Sequence, residues 1–183
     1  MNPCPFPDPR MDAVLLTAEQ IDGAVSTLAG RITADYQGRD LVLITVLRGG
    51  LMFLSDLCRR IDTPLTLDFM SISAYGPQAT GAVRITKDLD DAIEGRHVLM
   101  VEDIIDTGLT LHYLLRVLRQ RRPASLEVCT LLDKDVRRLT DLPIEYRGFS
   151  IPDRFVVGYG LDLEGLWRNL PYVATLSDDI WGA

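Results

Sequence analysis

V-L-M-V-E-D-I-I-D-T-G-L-T, residues 98–110, decides the fold of this 183-residue chain. Four apolar residues run into the adjacent acids Glu102 and Asp103. A third acid follows at Asp106, and Thr107-Gly108-Leu109-Thr110 turns the chain into a helical pattern over residues 111–122. A buried strand ending in acids, then a turn of small residues and a helix start, is how an α/β protein builds a phosphate site. Ligands of open α/β sheets bind outside the carboxyl ends of the strands. Backbone N–H groups at a helix N-terminus hold anions there, aided by the helix dipole. Carboxylates in the same place would repel a bare phosphate. They make sense facing hydroxyls, or a metal ion that the ligand carries; a phosphorylated sugar with bound Mg²⁺ satisfies both halves.

Outward from this stretch, the chain alternates strands and helices, as a mostly parallel sheet flanked by helices requires. Thr17 with Gln20 three residues later has the spacing of a capping box for a helix over residues 18–36. L-V-L-I-T-V-L, residues 41–47, is a near-continuous apolar strand, the pattern of a strand covered on both faces. Arg48-Gly49-Gly50 breaks it, and residues 51–61 read as a helix. A second strand spans 65–72 and a third 97–101. A fourth, over 126–132, follows the helical pattern that starts at residue 111. Between them, residues 73–91 carry few large apolar side chains and read as a long excursion, a mobile lid hairpin. Beyond residue 133 the pattern shortens, with apolar runs at 146–149, 156–159 and 173–176. The expectation is an α/β fold in one domain over residues 17–183, with a small terminal hood over about 133–176. The first sixteen residues, with prolines at 3, 5, 7 and 9, read as an arm that is loosely held at its start.

Bulk properties add exclusions. A net charge of −7 without a basic stripe argues against nucleic-acid binding. Cys4, Cys58 and Cys129 are an odd number without metal-ligand spacing, as expected of a reducing, cytoplasmic compartment. No apolar run is long enough to cross a bilayer and no leader pattern stands at the start, so no membrane partner is expected.

At this point the residues reach a family. Residues 98–110 resemble the phosphoribosyl-pyrophosphate motif of the type I phosphoribosyltransferases. Four further segments narrow the resemblance to their hypoxanthine-guanine branch: L-R-G-G at 47–50, S-A-Y-G at 73–76, L-D-K at 132–134 and I-P-D-R-F-V-V-G-Y-G-L-D at 151–162. The resemblance implies transfer of a 5-phosphoribosyl group from phosphoribosyl pyrophosphate to N9 of hypoxanthine or guanine, with Mg²⁺, in a homo-oligomer that is a dimer or a tetramer.

It also implies a division of labour. Thr107, Gly108, Leu109 and Thr110, with the backbone from Asp106 onward, correspond to the 5′-phosphate cradle. Glu102 and Asp103 correspond to the pair facing the ribose hydroxyls and the metal, and Asp162 to a further metal-side aspartate. Asp106 corresponds to the acid that faces N7 of the purine and exchanges its proton. Arg48 and Gly49 correspond to the pyrophosphate loop, where the family often has lysine and where the preceding peptide can be cis. Arg168 corresponds to a second pyrophosphate contact. Lys134 matches the lysine that donates to O6. Phe155 matches the aromatic stacked on the base; Val156 offers backbone groups to the purine edge, with Arg154 beside them. Ser73 and Tyr75 match the lid tip, where Ala74 replaces a frequent serine.

Plainer readings exist for single residues. Thr107 or Thr110 could cap the helix, Asp162 a turn, Arg168 could be a surface cation and Phe155 a core residue. On pattern alone, Lys134 between Asp133 and Asp135 reads better as a solvated charge. Two other functions also stay open: a xanthine- or guanine-preferring enzyme, and a phosphoribosyltransferase-fold RNA-binding regulator of pyrimidine genes.

Overall fold

The structure is a computed structural model that describes residues 8–74 and 83–177. The alternation resolves into β1 (Met11–Leu16), α1 (Ala18–Tyr36), β2 (Leu41–Leu47), α2 (Leu51–Cys58), β3 (Leu65–Ala74) and β4 (Val83–Lys87). There follow β5 (His97–Ile105), α3 (Leu109–Arg119), β6 (Ser125–Asp133), β7 (Ile144–Ser150), β8 (Val156–Val157) and β9 (Val173–Leu176). Six strands form one sheet in the order β4-β3-β2-β5-β6-β7, parallel except for the antiparallel edge strand β4. Both neighbours of β2 follow it in sequence, and the chain lays β3 on one edge of it and, after β4, β5 on the other. The order therefore switches at β2–β5, and ligands of open α/β sheets bind beyond the carboxyl ends of such strands.

The continuous apolar pattern of β2 has a direct cause. Leu41 and Leu43 pack with the α1 residues Ile21, Val25, Leu28 and Ile32. Val42 and Ile44 face the other way, into Leu114, Leu115 and Leu118 of α3. Both faces are covered, so both phases of the period-2 strand must be apolar. Burying a leucine side chain contributes ~1.5–3 kcal/mol, and those three leucines are what fasten α3 to the sheet. The α1 capping box forms as its spacing predicts: Gln20 N donates to Thr17 Oγ1 at 3.3 Å and Thr17 N donates to Gln20 Oε1 at 2.8 Å.

Several boundaries differ from the sequence expectation, three of them with a local cause. β5 continues past Val101 to Ile105, because its parallel ladder with β6 persists to the Ile105–Asp133 pair. Glu102 and Asp103 therefore sit on the strand and not in a loop after it. α3 begins at Leu109, where Gly108 in the left-handed region (φ 79°) closes the turn. α2 stops at Cys58, where Arg60 N donates to Leu57 O in a tightened last turn. Residues 11–16, inside the segment read as an arm, form β1. It pairs antiparallel with β9, which in turn pairs with β8, in a separate three-stranded sheet.

Candidate active site

The end of β5 and the start of α3 build the phosphate side. Gly108 is the N-cap of α3 and no side chain caps the helix start. Thr107 Oγ1 reaches Leu109 N only at 3.5 Å, so neither threonine serves as the strong cap that a plain helix start would have. The cleft beside this turn is lined by Glu102, Ile104, Ile105, Asp106, Thr107, Gly108 and Thr110, and walled by Val46, Ile72 and Leu111. Gly108 is required twice over. Its φ is positive, and a Cβ there would come within 2.8 Å of both Leu142 Cδ1 and Thr140 Oγ1. Uncapped amides at a helix N-terminus, opened by a glycine, suit an anion.

The acid pair lies next to it, half-buried. Burial, and then the neighbouring Asp103 charge, push the Glu102 carboxyl well above its usual range. Asp103 is pushed up to about 6, first by burial and also by the Asp162 charge. Hydrogen bonds from Ile104 N (2.8 Å to Oδ1) and its own amide, with the nearby Arg168 charge, act in the opposite sense. Two hard oxygen donors whose ionisation is opposed by their surroundings fit a divalent cation that shares its remaining sites with water and phosphate. Among the described residues, no three His, Cys, Asp or Glu side chains converge on one ion. Such a cation would need the ligand's own oxygens.

The side expected to meet the pyrophosphate comes from two elements far apart in sequence. The Leu47–Arg48 peptide is cis, and Arg48 is exposed beyond β2. Gly49 lies flat against Asp103: a Cβ there would fall 1.9 Å from Asp103 Oδ2. The loop after β8 closes on the same glycine, since a Cβ on Gly160 would fall 2.2 Å from Gly49 O. Arg168 Nη1 donates to Gly160 O at 2.5 Å, and its Nη2 is 2.5 Å from Asp162 Oδ1. Asp162 Oδ2 in turn accepts from Gly165 N at 2.6 Å. Asp162 thus caps a turn and holds Arg168 here, and it stands with Arg168 within electrostatic reach of Asp103.

On the base side, Lys134 is 4 % exposed, which disposes of the solvated-charge reading. Its Nζ lies 3.7 Å from Asp153 Oδ1, and that same oxygen is 3.4 Å from Arg137 Nη1. Arg137 Nε is 3.2 Å from Asp106 Oδ1, a buried oxygen that accepts no hydrogen bond among the described residues. Phe155 is half-buried and packs against the Val157–Leu170–Tyr172 cluster. Val156 is buried and pairs with Thr175 across β8–β9. Arg154 reaches Asp12 Oδ2 (2.9 Å) and Leu176 O (3.3 Å), joining β1 to β9. Ser73, exposed, pairs with Arg84 across β3–β4. Tyr75 and the tip of the expected lid lie outside the described residues.

Arg137 and Asp153 carry no signal in the sequence. They stand in the charged strings D-K-D-V-R-R and I-P-D-R, which read as solvated loop. A turn of Asp135–Arg137 directly after Lys134 is what brings Arg137 back over Asp106.

Comparison with known proteins agrees with this arrangement. The phosphoribosyl transferase domain family matches residues 15–164. A hypoxanthine-guanine phosphoribosyltransferase of Staphylococcus aureus is 49 % identical over 170 residues, 92 % of this chain and 95 % of that protein. The crystal structure of a hypoxanthine phosphoribosyltransferase from the same species superposes with a TM-score of 0.90 at 48 % identity, covering 94 % of this chain and 95 % of the other. A variant of the Trypanosoma cruzi hypoxanthine phosphoribosyltransferase, in a ternary substrates complex, superposes with a TM-score of 0.89 at 40 % identity, covering 95 % and 100 %. The chain belongs to the phosphoribosyltransferase family and, within it, to the hypoxanthine-guanine phosphoribosyltransferases.

Proposed function

We propose that the protein transfers the 5-phosphoribosyl group from phosphoribosyl pyrophosphate to N9 of hypoxanthine or guanine, releasing pyrophosphate and IMP or GMP. The observation that carries this reading is the joining of a phosphate cradle to a buried lysine across one strand pair. Lys134 N donates to Ile105 O at 2.9 Å, so the lysine for O6 and the acid Asp106 flank a single backbone bond.

On this reading, each task of the reaction is assigned to a group. The amides of 107–110 and the hydroxyls of Thr107 and Thr110 receive the 5′-phosphate. Glu102 and Asp103 accept hydrogen bonds from the ribose hydroxyls and would hold Mg²⁺, with Asp162 nearby. Bound Mg²⁺ would neutralise charge on the departing pyrophosphate. Arg48, the amide of Gly49 and Arg168 take the pyrophosphate from the protein side. As N9 forms its bond to the anomeric carbon, the purine acquires positive character, and Asp106 accepts the N7 proton as general base. Lys134 donates to O6, which selects 6-oxopurines over adenine, whose amino group would oppose the ammonium. Phe155 supplies the ring that stacks on the base, Val156 the backbone at its edge, and Arg154 keeps that segment against β9. A lid that leaves the sheet beyond Ser73 would exclude water from the reacting sugar. The exposed Leu51 and Met52 on α2 support self-association, and the low cysteine content supports a cytoplasmic setting.

The test is direct. The protein with phosphoribosyl pyrophosphate and Mg²⁺ is offered hypoxanthine, guanine, xanthine, adenine and uracil separately, and nucleotide is quantified. Product from hypoxanthine and guanine is expected. No product from any 6-oxopurine would sink the reading, and product from uracil alone would move the protein to the pyrimidine branch.

A further inference from the structure

We propose that Arg137 is a positioning residue for the transfer step: it holds Asp106 in its working orientation and ties it, through Asp153, to the lysine that reads the base. The proposal rests on the purine reading given above. Arg137 lies on the turn that follows Lys134, and its two guanidinium ends face two different acids. Nε approaches Asp106 Oδ1 at 3.2 Å and Nη1 approaches Asp153 Oδ1 at 3.4 Å. The Asp153 oxygen is shared with Lys134 Nζ at 3.7 Å. One planar fork therefore spans the acid assigned to N7 and the carboxylate beside the lysine assigned to O6. A lysine could not span both, because a single ammonium presents one point and not two.

The neighbouring chain shows that this contact is supported from below. Leu139 N donates to Thr107 O at 3.0 Å. Thr140 Oγ1 and Leu142 close over Gly108, where a Cβ would meet each at 2.8 Å. Residues 137–142 thus lie along the phosphate turn, with Arg137 as the member that reaches the acid. The Asp106 oxygen that it faces is buried and accepts no hydrogen bond among the described residues. The Asp106 side chain as a whole is 44 % exposed, so with Oδ1 turned inward to the cation it is the outer oxygen, Oδ2, that a ligand can reach. The cation fixes the carboxylate through Oδ1 and leaves Oδ2 to take the proton. Arg137 itself is about one-third exposed, at 34 % of its side chain, so its replacement removes little packing.

The test is a double-mutant cycle with Arg137→Gln and Asp106→Asn, assayed with phosphoribosyl pyrophosphate and hypoxanthine each varied in turn while the other is saturating. Arg137→Gln alone should lower kcat about 10-fold or more, with KM for phosphoribosyl pyrophosphate within about twofold of the parent. In the Asp106→Asn background the same change should cost less than about twofold, because its effect passes through Asp106. Arg137→Lys should recover part of the rate but leave the KM for hypoxanthine raised, because the lysine drops the Asp153 arm. Equal losses in both backgrounds, or a rise in the KM for phosphoribosyl pyrophosphate that matches the loss in rate, would show a loop held for structural reasons and overturn the proposal. Inactivity of the parent enzyme toward every 6-oxopurine would instead sink the functional reading, and this proposal with it.

Discussion

Gly49 and Asp103 are in such close contact that no side chain fits between them: a Cβ at position 49 would lie 1.9 Å from Asp103 Oδ2. The loop after β2 and the acid on β5 therefore share one space, and Gly160 closes it from the hood side with its own Cβ position 2.2 Å from Gly49 O. The loop after β2, Asp103 on β5 and Gly160 of the hood are stacked as one unit. A change in any layer displaces the next.

Gly49→Ala should accordingly disable the enzyme more than it unfolds it. The methyl group must push the Asp103 carboxylate away, and a misplacement of about 1 Å at a reacting centre can cost ~100-fold in rate. We expect a loss of about that size in kcat/KM for phosphoribosyl pyrophosphate. Gly23→Ala on α1 is the matched control, since nothing lies within 4 Å of its Cβ position. It should raise stability by roughly 0.5–1 kcal/mol, because alanine loses less backbone entropy in a helix, with activity unchanged. Equal kinetics for the two alanine variants would contradict the stacking.

Burial opposes ionisation of Glu102 and Asp103, and this makes stability depend on pH. Asp103, pushed up to about 6, and Glu102, pushed well above its usual range, both bind protons more tightly in the folded chain than in the unfolded one. A raised carboxyl favours folding below its unfolded value near 4 and penalises it progressively as pH rises through the folded value. In the metal-free protein, Asp103→Asn should therefore raise Tm at pH 8 and have little effect at pH 4.5. With about 1.4 kcal/mol for each tenfold change in proton affinity, the gain at pH 8 is ~1–3 kcal/mol. The same variant should be nearly inactive. Melting curves at the two pH values decide it; destabilisation at pH 8 would mean that Asp103 is held by favourable contacts.

The sheet, the helices and the phosphate turn were legible because each rests on local chemistry. A capping box at Thr17, two-sided burial in β2 and the glycine of the 98–110 motif all leave marks within a few residues. Other features were legible only through resemblance. Nothing in D-K-D-V says that Lys134 is buried; its partner Asp153 lies nineteen residues away on another loop. The Arg137–Asp106 contact left no mark at all, because a three-residue turn has no periodicity to read. β1 was hidden for a different reason. Its strand M-D-A-V-L-L is short, mostly exposed and defined by pairing with β9 at the far end of the chain.

The identity of the base should depend on Lys134 and leave the sugar donor untouched. Lys134→Ala removes a charged donor that is 4 % exposed. A hydrogen bond to a charged group contributes about 1.5–3 kcal/mol, so KM for hypoxanthine and guanine should rise about 10- to 100-fold. KM for phosphoribosyl pyrophosphate should stay within about twofold. A parallel rise in both constants would place the lysine in the scaffold and not at O6.

Asp106, the acid proposed to receive the purine proton, gives the sharpest kinetic test. Asp106 lies one residue before the phosphate turn, and its carboxylate oxygen Oδ1 is buried beside Arg137. Asparagine keeps its size and hydrogen-bonding shape but cannot accept and retain a proton. General base catalysis contributes ~10²–10⁴-fold, so Asp106→Asn should lower kcat within that range. The dissociation constant for phosphoribosyl pyrophosphate, measured by calorimetry with Mg²⁺ present, should stay within about twofold, because the amides of 107–110 hold the phosphate without the carboxylate. The two measurements separate chemistry from binding. A weakened donor complex with unaltered single-turnover chemistry would remove Asp106 from proton transfer and assign it to the phosphate turn.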